Sequence, residues 1–251
     1  MLGEFQDYLE FDKLPVQFEN LKALKCLHTS RIGSKQQPSS PKSSNIISLL
    51  PYIIELCSLT KLRQLVLGGC NLSEDEFSIE FGCLHALNVL DLSRNNFFRG
   101  CGVWDQGFIL QGWVWRAFPC RGSLISKFFL SRNNFCNLPR LINGLPGLRD
   151  LSLHECITLQ SISLHTSVLV LRANGCTSLK RILILINQSS AGSFKLNNCN
   201  KLVEIQSLKS LGPQSDIYMG RCNNLAYDFR KSFLHVLSLP LFVYDISTFL
   251  K

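Results

Sequence analysis

Residues 145–159 read LPGLRDLSLHECITL, and the spacing inside this stretch decides the fold. Its skeleton is Leu148-xx-Leu151-x-Leu153-xx-Cys156-xx-Leu159. The Leu151-x-Leu153 step has period two, so both side chains leave one face of a short strand. Cys156 then stands where the chain turns away from that strand. Upstream the skeleton recurs as Ile125-xx-Phe128-x-Leu130-xx-Asn133-x-Phe135, Leu87-xx-Leu90-x-Leu92-xx-Asn95-x-Phe97 and Leu62-xx-Leu65-x-Leu67-xx-Cys70-x-Leu72. A first copy, Leu24-xx-Leu27-x-Thr29-xx-Ile32, lacks the Asn or Cys. Downstream come Val168-xx-Leu171-x-Ala173-xx-Cys176-xx-Leu179, Phe194-x-Leu196-xx-Cys199-xx-Leu202 and Ile217-x-Met219-xx-Cys222-xx-Leu225.

This is the leucine-rich-repeat pattern. It predicts a curved α/β solenoid, with short parallel strands on the concave face and irregular or short helical returns on the convex side. The anchors Cys70, Asn95, Asn133, Cys156, Cys176, Cys199 and Cys222 are expected to be structural. An Asn amide can satisfy turn carbonyls, and a Cys is small, buries well and donates weakly. Most anchors lie 20 to 25 residues apart, one coil each, but Asn95 and Asn133 are 38 apart. The excess falls at about 98–122 and holds all three Trp (Trp104, Trp113, Trp115), between two copies of LSRNNF. This insert reads either as a loop presenting aromatics to a partner or as sequence foreign to the repeat, the second being favoured. Between Ile32 and Cys70 the excess is a polar Ser/Pro loop, SKQQPSSPKSSN. The expected organisation is an N-terminal flank at 1–17, the solenoid at 18–231, and an altered or truncated tail at 232–251.

Composition agrees with a repeat and excludes other classes. Of 251 residues, 44 are Leu and 17 are Asn, and 46% are hydrophobic, too apolar for a disordered chain. No run of 18 uncharged apolar residues predicts a membrane span. The opening MLGEFQDYLEFDKLP is acidic where a secretory signal is basic, so the 11 Cys are expected to be reduced thiols. No Cys-xx-Cys pair suggests zinc. None of the five His has metal-site spacing, and no Gly-x4-Gly-Lys-Ser/Thr loop cradles phosphate. No metal, cofactor or catalysis is expected.

The phrases FENLKALKCL (18–27), QQPSSPKSS (36–44), LPGLRDLSLHEC (145–156), GCTSLKRI (175–182), CNKLVEIQSLKSL (199–211) and RCNNLAYDFRKS (221–232) carry a resemblance. The chain resembles the leucine-rich-repeat region of plant intracellular nucleotide-binding disease-resistance receptors, of the Toll/interleukin-receptor-like class. The resemblance covers roughly residues 18–232 apart from the insert, and it implies a fragment of such a receptor. What it implies is a protein-recognition module of innate immunity that is cytoplasmic, or nuclear as well. As a sensor or autoinhibitory region, it would bind a pathogen effector, a guarded host protein or a nucleotide-binding domain. The alternatives are a secreted or cell-surface repeat binder and a non-functional gene fragment. Sequons at Asn71 and Asn187 are compatible with the secreted alternative.

Partner contacts are expected at concave positions flanking the strand leucines: Arg63, Asp91, Arg94, Lys127, Arg132, Arg149, His154, Arg172, Lys195, Tyr218 and Arg221. The charge is asymmetric, with 8 basic and 10 acidic residues in 1–90 against 18 and 8 in 91–251. That favours an acidic protein partner. Nucleic acid is not expected, because the basic residues are spread one or two per repeat with acids between them.

Overall fold

The computed structural model describes residues 25–28, 59–70, 84–97 except 96, 124–164 except 139, 168–184, 192–206, 215–231 except 228 and 230, and 243–245. Nine short strands pair in parallel to form one long sheet. In spatial order they are β1 (Cys26–His28), β2 (Gln64–Val66), β3 (Val89–Asp91), β4 (Lys127–Phe129), β5 (Asp150–Ser152), β7 (Val170–Arg172), β9 (Ser193–Lys195), β11 (Asp216–Tyr218) and β12 (Val243–Asp245). A second parallel sheet holds β6 (Ser161–Leu164), β8 (Arg181–Ile184) and β10 (Glu204–Gln206). The molecule is a parallel β-solenoid with almost no helix among the described residues.

Seven of the long-sheet strands, all but β1 and β12, are centred on the residue five before an anchor, and these stack in register: Leu65 on Leu90, Leu90 on Phe128, Phe128 on Leu151, Leu151 on Leu171, Leu171 on Phe194. All six are fully buried or within 1% of it. The residues three before the anchors, Leu67, Leu92, Leu130, Leu153, Ala173 and Leu196, form a second buried column beside them. Ile162, Ile182 and Ile205 close the core from the short sheet.

The returns were expected to be irregular or short helical, and three of them are strands instead. These three belong to successive coils, and in the coil before them the return includes a 3-10 run at Arg140–Gly144. In the shortest of these coils, length favours the strand. A strand covers about 3.3 Å per residue and a helix about 1.5 Å. With 20 residues between Cys156 and Cys176, an extended return crosses the coil where a helix would fall short. The return sequences SISL and RILI also alternate, with Ile162, Leu164, Ile182 and Ile184 inward, three of the four β-branched.

The insert at 98–122 lies outside the described residues, as do the flank at 1–17 and the Ser/Pro loop. The coils on either side of the insert nevertheless stack directly, with Val89 opposite Lys127 and Asp91 opposite Phe129. At the other end, β12 lies within 232–251 and pairs in parallel with β11. In hindsight Leu241-xx-Tyr244-x-Ile246 repeats the strand skeleton there, without an Asn or Cys anchor.

Gly192 leaves no room for a side chain. A Cβ there would lie 2.6 Å from the Phe194 ring and 3.1 Å from the Leu169 carbonyl oxygen. Gly192→Ala is expected to cost about 1–3 kcal/mol through overpacking. A urea midpoint unchanged from the parent chain would show that the ring moves aside freely.

Candidate functional site

The anchors build the platform. Asn95 Nδ2 donates to the carbonyl oxygens of Leu67 and Leu92, both at 2.9 Å. Asn133 Nδ2 donates to Leu92 at 3.0 Å and Leu130 at 2.9 Å, so it ties together the two coils separated by the insert. The cysteines make the same contact with one donor. Cys156, Cys176, Cys199 and Cys222 donate to Leu130, Leu153, Ala173 and Leu196 at 3.3, 3.0, 3.1 and 3.1 Å. In every case the acceptor is the residue three before the preceding anchor. From Asn95 to Cys222 the anchors therefore form a continuous buried ladder of donors, which satisfies carbonyls that would otherwise be lost from water. The Cys70 thiol instead donates within its own turn to Gly68 O at 4.0 Å. Burial pushes the Cys156 and Cys176 thiols up to about 12.

Cys136 differs. It is disulfide-bonded, against the expectation of reduced thiols, and its partner lies outside the described residues. It stands three residues past Asn133, off the anchor column, where the repeat spacing gives no signal. The anchor cysteines are free.

The residue before each anchor has a positive φ: Gly69, Arg94, Arg132, Glu155, Gly175, Asn198 and Arg221. The turn needs this left-handed conformation to bring the anchor inward, and only two of the seven are Gly. Arg94, Arg132 and Arg221, expected on the concave face, therefore sit on the turn at its rim. Their backbones are bound into the stack: Arg94 N–H donates to Ser131 O at 2.7 Å and Arg132 N–H to His154 O at 2.8 Å.

The other expected contact residues divide by column. Asp91, Arg172, Lys195 and Tyr218 are four before their anchors and lie on the outward face of the long sheet. Lys127 is on the same face, six before its anchor. Arg63 and Arg149 precede their strands and are exposed. His154, two before its anchor, is half-buried.

The structure gathers only some of these. Arg172 and Lys195 are register partners on β7 and β9, and Lys195 and Tyr218 on β9 and β11. The Lys195 ammonium lies 5.9 Å from the Tyr218 ring centroid, in cation–π range. Arg172 pairs with Asp150 across β5 and β7. Arg132 grips Glu155 through two contacts, Nε to Oε2 at 2.8 Å and a second nitrogen to Oε1 at 3.1 Å. Burial, then the charges of Arg172, Lys195 and Arg132, pull His154 below the ordinary imidazole value, with Glu155 opposing. Arg63 belongs to the β2 coil, and Arg94, on the turn after β3, reaches the group only through its charge on Glu155.

Asn174 and Asn197 were not singled out as site residues. Asn174 Oδ1 accepts from the Asn197 N–H at 2.9 Å, and Asn197 Oδ1 from the Gly220 N–H at 2.7 Å. They hold the turns beside His154 and Lys195 in register. The signal was their common place two before successive anchors. Among the described residues, no group of three or more His, Cys, Asp or Glu could hold a metal ion, and no helix is long and apolar enough to cross a membrane. No family model matches the chain, and no curated protein matches it.

Proposed function

We propose that the chain is a protein-recognition module: the leucine-rich-repeat sensor or autoinhibitory region of a plant intracellular disease-resistance receptor. Its partner is a pathogen effector, a guarded host protein or a nucleotide-binding domain, met in the cytoplasm or nucleus. The supporting observation is the anchor ladder, which holds many parallel strands at fixed spacing. The ladder leaves their variable outward positions free to form one broad binding surface. The gathering of Arg172, Lys195 and His154 there suits an acidic surface on the partner.

The test is co-precipitation from leaf tissue that also expresses candidate effectors or nucleotide-binding domains of this receptor class. Reversing Arg132, Arg172 and Lys195 to Glu is expected to cut recovery of a captured partner at least about tenfold. Undiminished recovery by the triple variant would refute the assignment of the binding face.

The Cys136 disulfide favours a second reading, a secreted or cell-surface repeat binder, because oxidising compartments sustain such bonds. A mobility shift on endoglycosidase treatment, through Asn71 or Asn187, would decide for it.

A further inference from the structure

We propose that the outward face across β5, β7, β9 and β11 binds an acidic peptide segment, seating one side-chain carboxylate among His154, Arg172 and Lys195. This rests on the reading of the chain as a recognition module and specifies the chemistry of its ligand.

The argument is one of charge accounting. Arg132 is neutralised by Glu155 and Arg172 by Asp150. Lys195 has no carboxylate within ion-pair distance among the described residues, and it is held over the Tyr218 ring. His154 stands in the field of Arg172, Lys195 and Arg132, with Glu155 the one acid acting on it. The cluster thus holds one uncompensated cation and one imidazole whose protonation is opposed by burial and by the neighbouring cations. An arriving carboxylate pairs with Lys195 and offsets the field that opposes protonation of His154, so binding and protonation favour each other. The shape favours a chain over a small free anion. The cluster lies on an open sheet face, flanked by the half-buried Phe129 and Val170, which offer apolar surface to an extended segment.

The probe is a fluorescein-labelled hexaglutamate peptide titrated with the full 251-residue chain, and hexalysine is the control. Affinity for hexaglutamate is expected to rise as pH falls from 8 to 6, while hexalysine does not bind. Lys195→Gln should weaken hexaglutamate about tenfold, as loss of a charge-assisted contact does. Lys201→Gln, an exposed change beyond the Cys199 anchor, should leave it unchanged. His154→Gln should abolish the pH dependence. In the parent chain, NMR should place the His154 titration below the ordinary imidazole range and move it up when peptide binds.

Equal losses for Lys195→Gln and Lys201→Gln, pH dependence persisting in His154→Gln, or no binding of hexaglutamate would each overturn the proposal. If the seat fails this way while charge reversal still releases a captured partner, recognition by this face stands. If reversal leaves the partner bound, the wider reading falls.

Discussion

Phe128→Ala is expected to destabilise the chain by about 3–5 kcal/mol and to split its unfolding into two steps. Phe128 is fully buried at the centre of β4, stacked between Leu90 and Leu151. Removing the ring loses its burial and leaves a cavity that a stack fixed by ladder hydrogen bonds collapses into only partly. The position magnifies the effect. In a solenoid each coil is stabilised by its neighbours, and β3 and β4 are joined through the longest stretch between consecutive anchors from Cys70 onward. A weakened β3–β4 contact leaves β1–β3 with little support. Hydrogen exchange across a urea series would check this. Protection around Leu65 and Leu90 should vanish before protection around Leu171 and Phe194. Simultaneous loss at the parent midpoint would show that the coils do not depend on this ring.

Alkaline pH should unfold the protein through its buried thiols. Cys156 and Cys176 ionise near 9.0 when unfolded and are pushed up to about 12 in the fold by burial. A raised folded value means the thiols contribute stability fully below pH 9, which is lost as pH rises through the folded value. Above pH 9 the unfolded chain sheds protons that the folded chain keeps, at about 1.4 kcal/mol per pH unit for each thiol. By pH 12 each would forfeit about 4 kcal/mol. The two losses are not independent, because a Cys156 thiolate raises Cys176 further. Urea unfolding at pH 8 to 11 should show this decline. The double variant Cys156→Ser/Cys176→Ser keeps donors for Leu130 and Leu153 but does not ionise in this range. It should lose stability distinctly less steeply. Equal slopes would place alkaline sensitivity elsewhere.

Much of this structure was legible before any coordinate. The seven anchors located seven of the nine long-sheet strands, and the period-two step beside each anchor located the buried strand residue, as at Leu151 and Leu171. Both signals are local, since a strand's alternation and a turn's need for a small buried donor act within one coil. The binding face was legible only as a set of columns. Linear spacing does not reveal which position takes the left-handed turn, so it did not separate Arg94 and Arg132, on the turn, from the strand positions.

By itself, then, the sequence determined the repeat, the inward columns and the parallel stacking, because these follow from periodicities that each coil carries within itself. Only the tertiary structure decided the rest. It made three returns strands, because the helix or strand choice there turns on the distance each return must span between sheets. It added β12 as a further coil despite the missing anchor, since an edge strand leaves backbone groups that a following segment can satisfy. And it brought His154, Arg172 and Lys195 together from three coils, because their meeting depends on inter-coil register, which is set by pairings such as Asp150 with Val170 and Val170 with Ser193, 20 and 23 positions apart.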